Sequence, residues 1–181
     1  MGLNIEVIPS PDALGAEVRG VDLAQPLDAS IFEVLESAFN KYSVICLRDQ
    51  DLSPDELIAY ARRYGEPQRL FLNHYAMKDY PEILYVSNIQ ENGRNIGYAD
   101  AGVVWHTDMS FEKTPPRATV LHAREVPIDE TGAILGDTLF ASATKAYESL
   151  SEGMKDRLKG LRVKHDVAGR RRKSGTGLAS D

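Results

Sequence analysis

The sequence predicts a mainly β protein with flanking helices, and three observations lead to this fold class. Beyond residue 80, short apolar runs alternate with segments that contain asparagine, glycine and proline, as in proteins built from many short strands. Four stretches show the apolar spacing of amphipathic helices, two of them before residue 66 and two after residue 141. The length of 181 residues, without an internal repeat, is that of one domain or at most two.

Composition excludes several classes of protein. The chain has 43% hydrophobic and 27% charged residues and a net charge of −6, which is typical of a globular domain and not of a disordered tail, collagen or coiled coil. No run of about 18 apolar residues is present, so we expect no membrane partner. The net negative charge argues against a nucleic-acid partner. We expect a cytoplasmic protein because no leader pattern is visible at its start; a homo-oligomer is an open alternative.

The first third of the chain is predicted to contain two short strands and a helix. The strands are expected at 4–8 and 16–18, where apolar residues are separated by glycine and proline. The helix has Ser30 and Glu33 at capping-box spacing and is expected to end near Tyr42.

A buried strand and a second helix are expected next. The only cysteine, Cys46, lies in the apolar run 44–47, which predicts a buried and inert thiol. The second helix has the clearest start signal in the chain, an N-cap serine, a proline at the first helical position and an N3 glutamate: Ser53, Pro54 and Glu56. Gly65 is expected at its C-terminal cap.

The rest of the chain is predicted to be rich in strands, with two short helices near its end. The helices are expected to begin at Ser142 and Ser151. Residues 167–181 have no apolar periodicity and are expected to form a lid loop or mobile tail. Its basic stretch 170–173 is alternatively a patch that binds nucleic acid or phosphate. Strands are expected at 83–86, 103–105, 118–123 and 161–164.

The segment Trp105-His106-Thr107-Asp108 is the candidate for chemistry. In a strand, residues i and i+2 point to the same side, so the imidazole of His106 and the carboxylate of Asp108 can converge. One histidine and one carboxylate make up two thirds of the facial triad of non-haem Fe(II) enzymes. On spacing alone, a surface hydrogen-bonded pair is the more frequent arrangement. Trp105 either shields such a site from water or belongs to the core.

Several further motifs resemble one enzyme family. They follow one another in the order found in the TauD/TfdA family of Fe(II)- and 2-oxoglutarate-dependent dioxygenases, and the resemblance extends from about Ile5 to Lys173. The motifs are GVDL at 20–23, LRDQ at 47–50, RYGE at 63–66, WHTDMSF at 105–111, TPP at 114–116, GDTLFAS at 136–142 and AYESLS at 146–151.

This resemblance implies a fold, a cofactor set and site residues. The fold would be a double-stranded β-helix, or jelly roll, in a single dioxygenase domain over residues 1–181. His106 and Asp108 would be ligands of Fe(II), and the hydroxyl of Thr138 would donate to a carboxylate of 2-oxoglutarate; a threonine bonded to backbone is the alternative for Thr138. His74 would face the substrate, although a polar loop residue is an equal alternative.

The activity implied is hydroxylation of a small organic anion of the sulfonate, alkyl sulfate or aryloxyacid type. O₂ and 2-oxoglutarate would be consumed, and succinate and CO₂ formed. Because iron and cosubstrate perform the oxidation, no catalytic acid or base is expected from the protein.

The chain also departs from the family pattern. The family's second iron-binding histidine and its 2-oxoglutarate-binding arginine have no counterpart, so the jelly roll is expected to be truncated, with the domain incomplete at its C-terminus. Whether this form is active stays open, and the alternative is a non-catalytic fragment acting as a structural or interaction module. His122 is expected to be a satisfied core histidine, and His165 matches a family histidine that is not a ligand. Residues 127–136 contain an insertion, in which Leu135 replaces a glycine.

Overall fold

The computed structural model of the protein describes residues 4–69 and 73–165. Four helices and seven strands are named in these ranges. In chain order they are β1 (Glu6–Pro9), β2 (Ala16–Arg19), α1 (Ala29–Tyr42), β3 (Ile45–Cys46), α2 (Pro54–Arg62), a 3₁₀ turn (Asn73–Tyr75), β4 (Ala76–Met77), β5 (Tyr80–Leu84), β6 (Gln90–Glu91), β7 (Arg94–Asn95), α3 (Ala143–Glu148) and α4 (Glu152–Leu158).

The first three strands form one sheet in the order β1-β2-β3. β1 and β2 are antiparallel, with Val7 opposite Val18, whereas β2 and β3 are parallel, with Ala16 opposite Ile45. The two other sheets are two-stranded hairpins, β4 with β5 and β6 with β7. The strands expected near residues 4–8, 16–18 and 44–47 are therefore present, with shifted ends.

Helix α1 has the expected C-terminal end but a different start. It ends at Tyr42, and Ser43 follows with a left-handed φ of 67°. Its N-cap is Asp28, whose side chain caps none of the backbone N–H groups described at this end. The capping box predicted for Ser30 and Glu33 is wrong, because Ser30 already lies inside the first turn and cannot serve as the cap.

Helix α2 begins as the sequence predicts. The Ser53 backbone N–H donates to Glu56 Oε2 at 2.7 Å, and the Glu56 N–H donates to Ser53 Oγ at 3.3 Å. Pro54 occupies the first helical position. The helix ends at Arg62, and Gly65 lies beyond its cap at a φ of +144°.

The core lies between the first sheet and these two helices. Leu35 on α1 is fully buried, and Val18 on β2 is 2% exposed. Burial raises the pKa of Tyr60 on α2, so its hydroxyl stays protonated. Val120, far along the chain, also packs against this cluster, whose buried members are Val18, Val21, Leu23, Leu35, Ala38, Leu52 and Tyr60.

Cys46 is exposed, so the prediction of a buried thiol is wrong. β3 is the last strand of its sheet, and side chains alternate between the two faces of a strand. Ile45 takes the face that packs against the core, and Cys46 therefore points to the other.

The predicted strands at 103–105, 118–123 and 161–164 are not found as strands. A strand is defined by hydrogen bonds to a neighbouring strand. Among the described residues, none of the three segments has such a neighbour in a named sheet. In 103–105 and 161–164 the apolar side chains face solvent: Val103 and Trp105 are each 69% exposed, and Val163 is 79% exposed. Trp105 is therefore not a core tryptophan.

Helices α3 and α4 begin where the sequence predicts. The Lys145 N–H donates to Ser142 Oγ at 3.1 Å, and the Met154 N–H donates to Ser151 Oγ at 3.3 Å. The apolar face expected on α4 is present but open, since Leu158 is 39% exposed. Among the helices described, none combines the length and the apolar character needed to cross a membrane. The tail predicted at 167–181, with its basic stretch 170–173, lies outside the described residues.

Candidate metal site

His106 and Asp108 bring their side chains together, as their spacing predicts. The Nε2 atom of His106 lies 2.9 Å from Oδ1 of Asp108. A turn produces this arrangement, not the strand assumed from the sequence: Met109 has a φ of 48°, and the Glu112 N–H donates to the Met109 carbonyl at 3.0 Å. Both side chains remain accessible, with 37% and 48% of their surface exposed.

The hydrogen bonds of the imidazole define which nitrogen is available to a ligand. Nδ1 of His106 lies 2.7 Å from the Val104 carbonyl oxygen, which can only accept, so Nδ1 carries a proton. The neutral ring then presents the lone pair of Nε2 on the side of the Asp108 carboxylate. Nε2 and Oδ1 can both be accommodated in two ways: a cation binds to the two atoms, or a second ring proton forms a hydrogen bond between them. This nitrogen and oxygen pair, with a carbonyl behind the histidine, is a donor set that suits Fe(II) and similar divalent metals.

A third residue, Thr119, contacts the same carboxylate. Its hydroxyl donates to Oδ2 of Asp108 at 2.8 Å. Sequence reasoning missed Thr119, because a threonine within an apolar run carries no signal of a partner 11 residues earlier.

Contacts made by Thr114, Arg117, Val120 and His122 attach residues 105–122, here called the site segment, to the first half of the chain. Val120 packs against the core. The Arg117 guanidinium forms an ion pair with Glu36 on α1 at 2.7 Å and donates to Asn40 Oδ1 at 3.3 Å. The Gln68 side chain donates to the Thr114 carbonyl at 3.5 Å.

His122 is the last of these four residues. Its Nε2 donates to the Gln50 carbonyl at 3.0 Å, and the ring is half-buried. The expectation of a satisfied histidine is confirmed. Gln50 is itself held on both sides, because its side chain accepts from the Leu23 N–H at 2.8 Å and donates to the Val21 carbonyl at 3.1 Å.

The other sequence-predicted site residues lie elsewhere on the chain. Thr138 is exposed in the segment before α3, and within residues 4–69 and 73–165 it forms no hydrogen bond to His106 or Asp108. His74 is exposed in the 3₁₀ turn, with its ring centroid 4.0 Å from that of Tyr75.

A third protein ligand is not found in the part of the chain described here. In those ranges, no three side chains of histidine, cysteine, aspartate or glutamate are grouped so as to hold a metal. His165, which the family resemblance excludes as a ligand, places Nδ1 2.9 Å from the Ser110 hydroxyl. The pair of His106 and Asp108 is thus the candidate metal site within the described chain.

The insertion at 127–136 folds back on itself as a small hairpin. Ile128 and Ile134 form an antiparallel bridge, and the Leu135 N–H donates to the Pro127 carbonyl at 2.8 Å. At its tip, the hydroxyl and N–H of Thr131 donate to Asp129 Oδ1 at 2.6 and 2.8 Å, and these hydrogen bonds lower the pKa of that carboxyl.

Comparison with known proteins identifies relatives of the chain. Pentalenolactone F synthase of Streptomyces arenae is 39% identical over 164 residues, which cover 89% of this chain and 54% of that protein. The alpha-ketoglutarate-dependent 2,4-dichlorophenoxyacetate dioxygenase of Cupriavidus pinatubonensis is 29% identical over 173 residues, 90% of this chain and 58% of that protein. The chain therefore spans little more than half the length of these curated relatives.

A solved structure and a family model agree with these relatives. The crystal structure of AAD-2 in complex with Mn(II) and N-oxalylglycine superposes with a TM-score of 0.70 at 25% identity, over 97% of this chain and 62% of that one. The family model described as "Taurine catabolism dioxygenase TauD, TfdA family" matches residues 6–180, which include both His106 and Asp108. With that match over nearly its whole length, the chain belongs to the TauD/TfdA family.

Proposed function

We propose that the protein is an Fe(II)- and 2-oxoglutarate-dependent dioxygenase that hydroxylates a small organic anion. The observation that carries the proposal is the His106–Asp108 pair, 2.9 Å apart at its nearest atoms, inside the segment that matches the family model. Bound iron and 2-oxoglutarate would supply the oxidation of a C–H bond, with O₂ as the oxidant and succinate and CO₂ as co-products.

His106 and Asp108 would serve as two of the protein ligands of the iron. His106 would bind through Nε2, because its Nδ1 proton is held by the Val104 carbonyl. Asp108 would bind through Oδ1, because Oδ2 accepts from Thr119. Neither role needs a proton transfer from the protein, so the side chains bind and orient without acting as acid or base.

The remaining roles rest on the family resemblance. Thr138 would donate its hydroxyl to a carboxylate of 2-oxoglutarate, and His74 would face the organic substrate. The jelly roll would be the surrounding architecture, for which the superposition on AAD-2 is the supporting observation.

The substrate class is proposed as a sulfonate, alkyl sulfate or aryloxyacid. The relative that acts on 2,4-dichlorophenoxyacetate, an aryloxyacid, supports this class at 29% identity. A lactone is the second candidate, favoured by the 39% identity to a pentalenolactone F synthase.

The test is decarboxylation of 2-oxoglutarate by the full-length gene product with Fe(II) and ascorbate. A panel of one sulfonate, one alkyl sulfate, one aryloxyacetate and one lactone would be assayed for succinate and hydroxylated product. D108N should abolish turnover, whereas D156N, which removes an exposed α4 carboxylate that is paired with Lys159, should not. Succinate formation that survives in D108N, or is absent with every member of the panel, would contradict the proposal.

A further inference from the structure

Thr119 and His106 contact opposite oxygens of one carboxylate. Oδ2 of Asp108 accepts from the Thr119 hydroxyl at 2.8 Å, while Oδ1 lies 2.9 Å from Nε2 of His106. The rotation of a carboxylate about its last bond is only weakly restricted, and Asp108 is 48% exposed. The threonine hydroxyl therefore fixes the rotation of the carboxylate, with one oxygen held toward the histidine.

The backbone around Thr119 explains why its hydroxyl faces the site. Burial alternates along 118–122, with Ala118, Val120 and His122 half-buried and the two residues between them exposed. Extended backbone sends successive side chains to opposite sides, so Val120 packs on the core while Thr119 points outward to Asp108.

This stretch is also firmly attached at both of its ends. Arg117 is paired with Glu36 on α1 at 2.7 Å, and His122 donates to the Gln50 carbonyl at 3.0 Å. Asp108, in contrast, lies in an exposed turn that follows no strand or helix closely. The hydrogen bond from Thr119 thus restrains the Asp108 side chain, which lies in the less restrained segment.

We propose that Thr119 is a positioning residue of the metal site, which holds Oδ2 of Asp108 so that Oδ1 is presented to the cation beside Nε2 of His106. The inference rests on the proposed function, because it assumes that His106 and Asp108 bind a divalent metal. Hydrogen-bonded partners of ligating carboxylates fix the orientation of the ligand, and their loss commonly weakens metal binding by about 10- to 100-fold.

The test compares Mn(II) binding by the wild-type protein with that of four variants, T119V, T119S, T131V and D108N, followed by the electron paramagnetic resonance signal of the free ion. T119V keeps the shape of the side chain and removes the hydroxyl, and should bind Mn(II) about 10- to 100-fold more weakly. T119S restores a hydroxyl and should bind like the wild type. T131V is the matched control, because it removes another threonine-to-aspartate hydrogen bond, 2.6 Å long, in the 127–136 hairpin.

The outcomes separate the inference from the proposed function. Wild-type binding no tighter than that of D108N would overturn the metal site itself. Tight wild-type binding that T119V retains to the same degree as T131V would overturn only the role of Thr119. Equal melting temperatures of T119V and T131V, with weakened Mn(II) binding in T119V alone, would support it.

A measurement on the wild type covers the case in which T119V fails to fold. Bound Mn(II) should broaden the γ-methyl resonance of Thr119 in the wild type and leave it sharp in D108N. A Thr119 methyl signal that Mn(II) does not affect in the wild type would overturn the inference.

Discussion

The Nε2 atom of His122 lies 3.0 Å from the carbonyl oxygen of Gln50, and this contact joins the site segment to the loop that precedes α2. On its other side, the Gln50 side chain bonds to the backbone of Val21 and Leu23 in the core region. A hydrogen-bonded path thus connects the site segment, which contains Asp108 and Thr119, to the buried segment that follows β2.

Replacing His122 by leucine should destabilise the fold. The change keeps an apolar body at a half-buried position and leaves the Gln50 carbonyl without its donor, which should lower the free energy of unfolding by about 1 kcal/mol. Urea denaturation measures the difference. H165L is the control, because it removes an exposed contact with Ser110, and an equal loss in both variants would contradict the prediction.

Two of the serines proposed as helix caps, Ser53 and Ser30, should respond differently to alanine. S53A removes the hydroxyl that accepts from the Glu56 N–H and should cost about 1 kcal/mol of stability. S30A lies inside the first turn of α1, where alanine is the better helix former, and should leave stability unchanged or slightly raised. Thermal or urea unfolding measures the stability of both variants. A larger loss of stability in S30A than in S53A would contradict the assignment of Asp28 as the N-cap of α1.

The capping box should also give stability a dependence on pH. Hydrogen bonds from the hydroxyl and N–H of Ser53 lower the pKa of Glu56 below its ordinary value of 4.5. A lowered pKa means that the folded state favours the carboxylate, so the contribution is present above pH 4.5 and is lost as the pH falls through the folded-state pKa. Wild type should therefore be more stable than E56Q at neutral pH, and the difference between their free energies of unfolding should become smaller in acid. A difference that becomes larger on acidification would contradict this prediction.

Leu35 should be the most sensitive position of the α1 core face. Its side chain is fully buried, and truncation to alanine removes its contacts and leaves a cavity, at a cost of about 2–5 kcal/mol. V34A is the neighbouring control, because Val34 is 38% exposed and should lose far less. Chemical denaturation measures the loss of stability in each variant, and losses of similar size would argue against the core described above.

Cys46 should react with a thiol reagent without unfolding. The side chain is exposed on the last strand of the first sheet, so Ellman's reagent should modify the native protein in one fast phase. C46S serves as the blank. Modification that begins only in denaturant would instead support the buried thiol expected from the apolar run.

The starts of α2, α3 and α4 and the candidate ligand pair were predictable because they depend on residues close in sequence. Ser53 and Glu56 satisfy each other across one turn, and Ser142 and Ser151 cap their own helices. His106 and Asp108 are two residues apart, so they meet in a turn as readily as in the expected strand. The start of α1 was mispredicted because a capping-box spacing does not show which residue leaves the helix first.

The sequence by itself determined the family, through motifs distributed over residues 6–180, and the pair of side chains that we propose as metal ligands. Only the tertiary structure decided that Thr119 contacts Asp108 and that His122 contacts Gln50, because these pairs are distant in sequence. It also decided that the apolar runs at 103–105 and 161–164 are exposed. A strand needs a hydrogen-bonded neighbour. An apolar pattern shows which side of a segment is to be buried, but it does not show which other segment packs against that side.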